Sequence, residues 1–201
     1  LAPADGTTPH ELMRNADTAM YSAKHQGRDA YRFFRPAMNE AVERELAIEE
    51  ALRGAVARGE IQLAFQPIVR LSDRVCVGAE ALARWRHPEL GDVSPDEFIT
   101  VAEQTGRIGE IGDFVLASVL ECVREWRGIR PEFRVSINVS PRQFRESALV
   151  DRIAAELSRF GLPGDVIDVE VTEGLLLPQR PEIASALARL RELGLGLAMD
   201  D

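Results

Sequence analysis

Four residues of this 201-residue chain carry polar side chains on the same side of segments that otherwise bury an apolar row: Glu80, Asn138, Glu170 and Asp200. Each segment alternates with period two, as a strand does. In Val77–His87, Gly78, Glu80, Leu82 and Arg84 share one face, and Ala79, Ala81, Ala83 and Trp85 take the other. In Phe133–Val139, Asn138 lies opposite Phe133, Val135 and Ile137; in Val166–Val171, Glu170 lies opposite Ile167, Val169 and Val171. Leu195–Asp201 puts Gly196, Ala198 and Asp200 on one face. Three carboxylates and an amide, with Asp201 beside them, form an all-oxygen donor set that suits Mg²⁺ or Mn²⁺ better than zinc. The three histidines, His10, His25 and His87, have no ligand spacing. Carboxylates gathered at one place repel and raise one another's pKa, and a bound cation removes that conflict. The competing reading is structural: separate strand-end residues satisfied by loops and helix N-termini, with Glu80 and Arg84 a half-solvated ion pair.

The elements that position these residues follow a strand–helix rhythm. Ile61–Val69 reads as a strand made terminal or irregular by Pro67, and a turn at Ser72-Asp73 leads into the Glu80 strand. Ser94-Pro95-Asp96-Glu97 is a capping box with proline at the first helical position, and its helix stops near Gly106. A longer helix carries Ile111, Phe114, Val115, Val119, Cys122 and Trp126 at helical spacing. Ser140-Pro141-Arg142-Gln143 resembles a second capping box, followed by a helix from about Ala148 to Gly161 and another from about Pro181 to Gly194. Repeated strand–helix units with chemistry at the strand C-termini predict an α/β fold of the TIM-like (β/α)8 type. About five of the eight strands are expected, so the barrel is read as incomplete. No glycine-rich phosphate fingerprint follows the first strand, which argues against a doubly wound sheet.

Upstream, Thr8, Pro9 and Glu11 cap a helix, and a second helical stretch is expected from Asp17. Pro36 marks a break. A helix with Asn39 as N-cap is predicted to run to Gly59.

The net charge of −9 argues against a general binder of nucleic-acid polymers, but not against a small anion held by a metal and one or two arginines. Cys76 and Cys122 lack CxxC spacing and read as free thiols of a reducing compartment. No apolar run reaches the length of a membrane span.

Glu80-Ala81-Leu82, continued by Ala83-Arg84-Trp85-Arg86-His87-Pro88-Glu89-Leu90-Gly91, resembles the signature of the EAL domain family, bacterial phosphodiesterases that open cyclic di-GMP in a metal-dependent reaction. The resemblance runs from about Glu45 to Asp201. It implies metal-ligand roles for Glu80, Asn138 in Asn138-Val139-Ser140, Glu170 in Glu170-Val171-Thr172-Glu173, and the Asp200-Asp201 pair. Glu80 and Asp201 are implied in catalysis, Glu173 in steadying a loop over two metals, and Gln66, Leu82 and Arg84 in contacting the dinucleotide. Ala16–Asp29 resembles the C-terminal end of a GGDEF (diguanylate cyclase) domain, and Lys24 and Arg28 match its phosphate contacts.

Together these imply a GGDEF remnant over 1–36, a connecting helix over 37–59 and the N-terminal part of an EAL domain over 60–201. The expected activity of the full-length protein is hydrolysis of cyclic di-GMP to pGpG with Mg²⁺ or Mn²⁺. A homodimer, a GTP site in the GGDEF part and a cytoplasmic location are further expectations, and the isolated piece is expected to be inactive. The alternatives are a non-catalytic cyclic di-GMP receptor signalling through the connecting helix, and a protein whose dominant role lies in the GGDEF part.

Overall fold

Small and apolar residues alternating with polar ones over residues 75–87 build the longest strand, and the rest of the sheet is registered on it. The computed structural model describes residues 1–25, 31–172, 174 and 180–200. They fall into two units, residues 1–53 and 54–201.

In the first unit, helix α1 (Pro9–His25) pairs with helix α2 (Ala37–Leu52). The Thr8–Glu11 box forms as expected: the Glu11 N–H donates to Thr8 Oγ1 at 3.2 Å, and the Thr8 N–H donates to Glu11 Oε2 at 3.1 Å. The Thr7 N–H, which donates to Glu11 Oε2 at 2.8 Å, and after it the Thr8 N–H hold the Glu11 carboxyl below its ordinary pKa. Two expectations are corrected here. Helix α1 runs unbroken through Asp17, because Asn15 spends its amide on the Asp5 carbonyl (2.7 Å) and the Thr18 hydroxyl bonds the Arg14 carbonyl (3.1 Å) within the helix. Helix α2 starts after Pro36 and ends at Leu52, seven residues before Gly59. Gly54, at φ 72°, supplies the left-handed turn that stops it. Asn39 caps nothing there; its side-chain oxygen accepts from Thr18 Oγ1 at 3.0 Å.

The second unit holds a sheet of six strands: β1 (Ile61–Arg70), β2 (Val75–His87), β3 (Gly91–Val93), β4 (Arg134–Asn138), β5 (Ile167–Thr172) and β6 (Gly196–Asp200). The order is β1-β2-β4-β5-β6, with β3 added to the far end of β2. Strands β2, β4, β5 and β6 run parallel, whereas β1 and β3 are antiparallel to β2, so the sheet is mixed. The parallel strand–helix pattern does not extend to β1, because the connection Leu71–Arg74 is short. Four residues suffice for a hairpin but not for the crossover a parallel neighbour needs. Asp73 organises that turn by accepting from Arg70 Nε and the Val75 N–H, and Arg74 takes φ 56°.

Helices α3 (Pro95–Thr105) and α4 (Ile108–Ile129) join β2 to β4; α5 (Leu149–Phe160) joins β4 to β5, and α6 (Pro181–Glu192) precedes β6. Their ends obey the local signals. Ser94 and Glu97 close a reciprocal capping box, and Gly106 and Gly161 take the left-handed conformation at the ends of α3 and α5. The odd-numbered face of the sheet forms the core: Ala81, Val135, Ile137, Val169 and Val171 pack with Leu116, Val119, Leu120 and Val123 of α4, Ile153 and Leu157 of α5, and Leu190 of α6. On β1, Phe65 meets Trp126 edge-to-face at 4.8 Å. Cys76 and Cys122 are free, and burial pushes the Cys122 thiol up, helped by Glu121 and Glu125. No helix among the described residues is long and apolar enough to cross a membrane.

Candidate active site at the strand ends

Because the odd-numbered row of β2, β4 and β5 is committed to the helices, the even-numbered row is left on the other face. Register then decides which residues meet. Glu80 pairs with Ser136 of β4, Asn138 with Glu170 of β5, and Thr172 with Asp200 of β6. Glu80 sits mid-strand in β2, but the parallel pairing with β4 ends one residue later at Ala81–Ile137. The mouth therefore opens at Glu80, and β2 runs on past it to meet β3.

Two fixed points hold that overrun. Trp85, only 2% exposed, donates its indole N–H to Glu60 Oε2 at 3.1 Å and packs edge-on to Phe98 of α3. Glu60 also accepts from Arg58 Nε at 2.5 Å, and that guanidinium holds its carboxyl below the ordinary range. With Trp85 locked on one face, Leu82 and Arg84 belong to the face of Glu80.

At the mouth, Asn138 Nδ2 donates to Glu80 Oε1 at 2.8 Å. An ionised carboxylate only accepts, so the amide nitrogen faces Glu80 and the amide oxygen is left for another partner. An aspartate at 138 would instead set two negative groups against each other. Gln66 of β1 lies directly across from Glu80, Ala64 from Leu82 and Gln62 from Arg84. A cavity of about 480 Å³ is lined by Glu80, Leu82, Arg84, Asn138, Glu170 and Thr172, and extends beside α3 and α4 to Asp96, Asp113 and Arg152. Arg152 is tied to Asp113 (3.2 Å) and Glu146 (2.6 Å). None of these last residues carries a spacing signal in the sequence; tertiary packing alone brings them in.

The structure thus brings together Glu80, Asn138, Glu170, Leu82 and Arg84, with Gln66 beside Glu80. Asp200 is placed by its backbone pairing with Thr172. Its side chain, Glu173, Asp201, the Lys24 side chain and Arg28 lie outside the described residues. Among the described residues no three His, Cys, Asp or Glu side chains are grouped closely enough to hold a metal ion. The described mouth contributes two carboxylates and an amide oxygen. These are hard oxygen donors, one already oriented by hydrogen bonding, and their chemistry is of the kind that suits Mg²⁺ or Mn²⁺.

Residues 49–201 match the EAL domain family, and the chain belongs to it. It is 38% identical over its whole length to a bifunctional diguanylate cyclase/cyclic di-GMP phosphodiesterase, MucR of Pseudomonas aeruginosa, covering 30% of that protein. It is 36% identical to the cyclic di-GMP phosphodiesterase NbdA of the same species, again over its whole length and covering 26% of that protein. The chain therefore spans under a third of the length of these relatives. Among solved structures it resembles the PaMucR phosphodiesterase in complex with c-di-GMP (TM-score 0.73, 33% identity, 77% of this chain and 63% of that one). It also resembles the EAL enzyme Bd1971 with cAMP and cyclic di-GMP bound (TM-score 0.73, 25% identity, 98% of this chain and 52% of that one).

Proposed function

We propose that the full-length protein hydrolyses cyclic di-GMP to linear pGpG in a reaction that requires Mg²⁺ or Mn²⁺. The observation that carries this reading is the Glu80–Asn138 contact at 2.8 Å, with Glu170 paired in register to Asn138. Oxygen donors meeting at the end of β4, together with the family match, support a metal site there. Glu80, Asn138 and Glu170 would hold the metal, joined in this proposal by Asp200 and Asp201. Once bound, divalent ions supply an acidified water and neutralise charge developing on the phosphodiester.

The chain's own residues do the rest. Arg84 cannot lose its proton and is suited to a non-bridging phosphate oxygen. Leu82 offers an apolar surface to the ligand, and Gln66, across from Glu80, offers an amide to a polar edge. Asn138 fixes the Glu80 carboxylate while adding no charge of its own.

The test uses Glu80→Gln in the full-length protein, which keeps size but removes a ligand charge. Release of pGpG under saturating Mg²⁺ should fall by about two orders of magnitude or more. Arg84→Ala should mainly raise the KM for cyclic di-GMP. Unchanged turnover in Glu80→Gln would remove it as a ligand. Tight dinucleotide binding with no pGpG from the wild type would favour a receptor instead.

A further inference from the structure

We propose that Gln143 is a positioning residue for Asn138, seated in a notch that Gly112 leaves in α4; this rests on the reading of Asn138 as a metal ligand. Strand β4 ends at Asn138, and the chain turns away through Val139–Arg142 into a 3-10 turn at Gln143–Arg145. If that exit path shifted, the last residue of β4 would shift with it. Three sets of contacts prevent this. The Val139 N–H donates to the Glu170 carbonyl at 3.1 Å. Ser140 and Gln143 close a reciprocal box, the Ser140 N–H donating to Gln143 Oε1 at 3.0 Å and the Gln143 N–H to Ser140 Oγ at 3.4 Å. Arg142 donates to the Glu103 and Gln104 carbonyls at the end of α3.

Gln143 is the buried member, with 6% of its surface exposed. Its amide nitrogen lies where a Cβ on Gly112 would be, so any side chain at 112 would overlap it. Gly112 has ordinary helical backbone geometry. Glycine inside a helix weakens it, so what position 112 requires is space. A methyl group at 112 would push on the same amide whose oxygen holds the Ser140 N–H. Both residues line the cavity that contains Glu80 and Asn138. The notch therefore holds the β4 exit, and through it the amide that meets Glu80.

A side chain that merely capped the 3-10 turn would affect stability and nothing else. The two roles separate in a Mn²⁺ titration of the full-length protein without dinucleotide, followed by calorimetry. Gln143→Met keeps the volume and drops the acceptor; Gly112→Ala keeps Gln143 and fills the notch. Each should weaken Mn²⁺ binding about tenfold, the scale seen when a supporting partner of a metal ligand is lost. The double variant Gly112→Ala/Gln143→Ala should lose no more than Gln143→Ala alone, since both changes act through one contact. Turnover at saturating Mn²⁺ should stay within about threefold of wild type, with the deficit in metal half-saturation. If Gly112→Ala does not fold, Gln143→Met, with its circular dichroism checked, decides alone. A folded Gln143→Met with wild-type Mn²⁺ affinity overturns the proposal. Wild-type protein that binds no Mn²⁺ overturns the metal reading and this proposal with it.

Discussion

The face of the sheet that carries Glu80 has a floor and a mouth, built from the same alternation but with their carboxylates partnered differently. On the floor, Asp168 of β5 accepts from Arg134 of β4, a carboxylate matched by a guanidinium. Gly196 of β6 makes room for them, because a Cβ there would overlap both side chains. One layer on, at the mouth, Glu80 meets only the neutral amide of Asn138 among its described hydrogen-bond partners, and Glu170 is the register neighbour. A carboxylate that folding needs is given a cation from the chain itself. At the mouth, in the function proposed above, Glu80 and Glu170 would meet a divalent cation from solution as well.

If that contrast holds, floor variants should lose stability and keep metal affinity, and mouth variants the reverse. The largest stability effect is expected at Gly196. Gly196→Ala puts a methyl group onto Asp168 and Arg134 and should cost about 1–3 kcal/mol in urea denaturation, the range for inserting a group where there is no room. Mn²⁺ affinity measured on the folded fraction should change less than about threefold. A large loss of Mn²⁺ affinity would mean that floor and mouth are one site.

Asp168→Asn is the milder probe. It keeps the shape and one acceptor but leaves Arg134 without a counter-charge. Arg134 and Asp168 are 40% and 28% exposed, so water screens part of the loss. About 1–2 kcal/mol is expected, below the full cost of stranding a buried charge. Because the lost term is an ion pair, the gap between variant and wild type should narrow in 1 M salt on the order of the screening expected at a 3 Å Debye length. A gap independent of salt would make the pair a packing contact.

Much of the mouth was legible in the chain because it rests on local rules. Period-two alternation put Glu80, Asn138 and Glu170 opposite apolar rows, and the boxes at Ser94 and Ser140 marked where the chain leaves the strands. What stayed hidden depends on partners distant in sequence. Asp168 could be assigned to its face, but nothing local says that Arg134, 34 residues earlier, stands beside it. Strand β3 has three residues, too few for periodicity to register. The antiparallel course of β1 was available from the four-residue connection to β2, but the uniform strand–helix rhythm downstream masked it. Asp17 looked like the start of a second helix because such residues favour caps; helix α1 runs through it, with the Asn15 side chain bonded back to Asp5.

The smallest effect tests the proposed metal site between Glu80 and Asn138 directly. Asn138→Asp removes the Nδ2–H donated to Glu80 and sets a second carboxylate within hydrogen-bond range of the first. Asn138 is exposed, so the repulsion is screened, and metal-free protein should lose only about 0.5–1 kcal/mol. Mg²⁺ should reverse the sign of the comparison. An additional anionic ligand strengthens binding to a hard cation, and an ion that binds only the folded state stabilises it in proportion to its affinity. Thermal unfolding of both proteins, with chelator and then with Mg²⁺ at several concentrations, separates the cases. The variant's midpoint should start below wild type and climb more steeply with Mg²⁺. Parallel curves would mean that no cation sits between positions 80 and 138, and the contrast between floor and mouth would then reduce to a difference in solvent exposure.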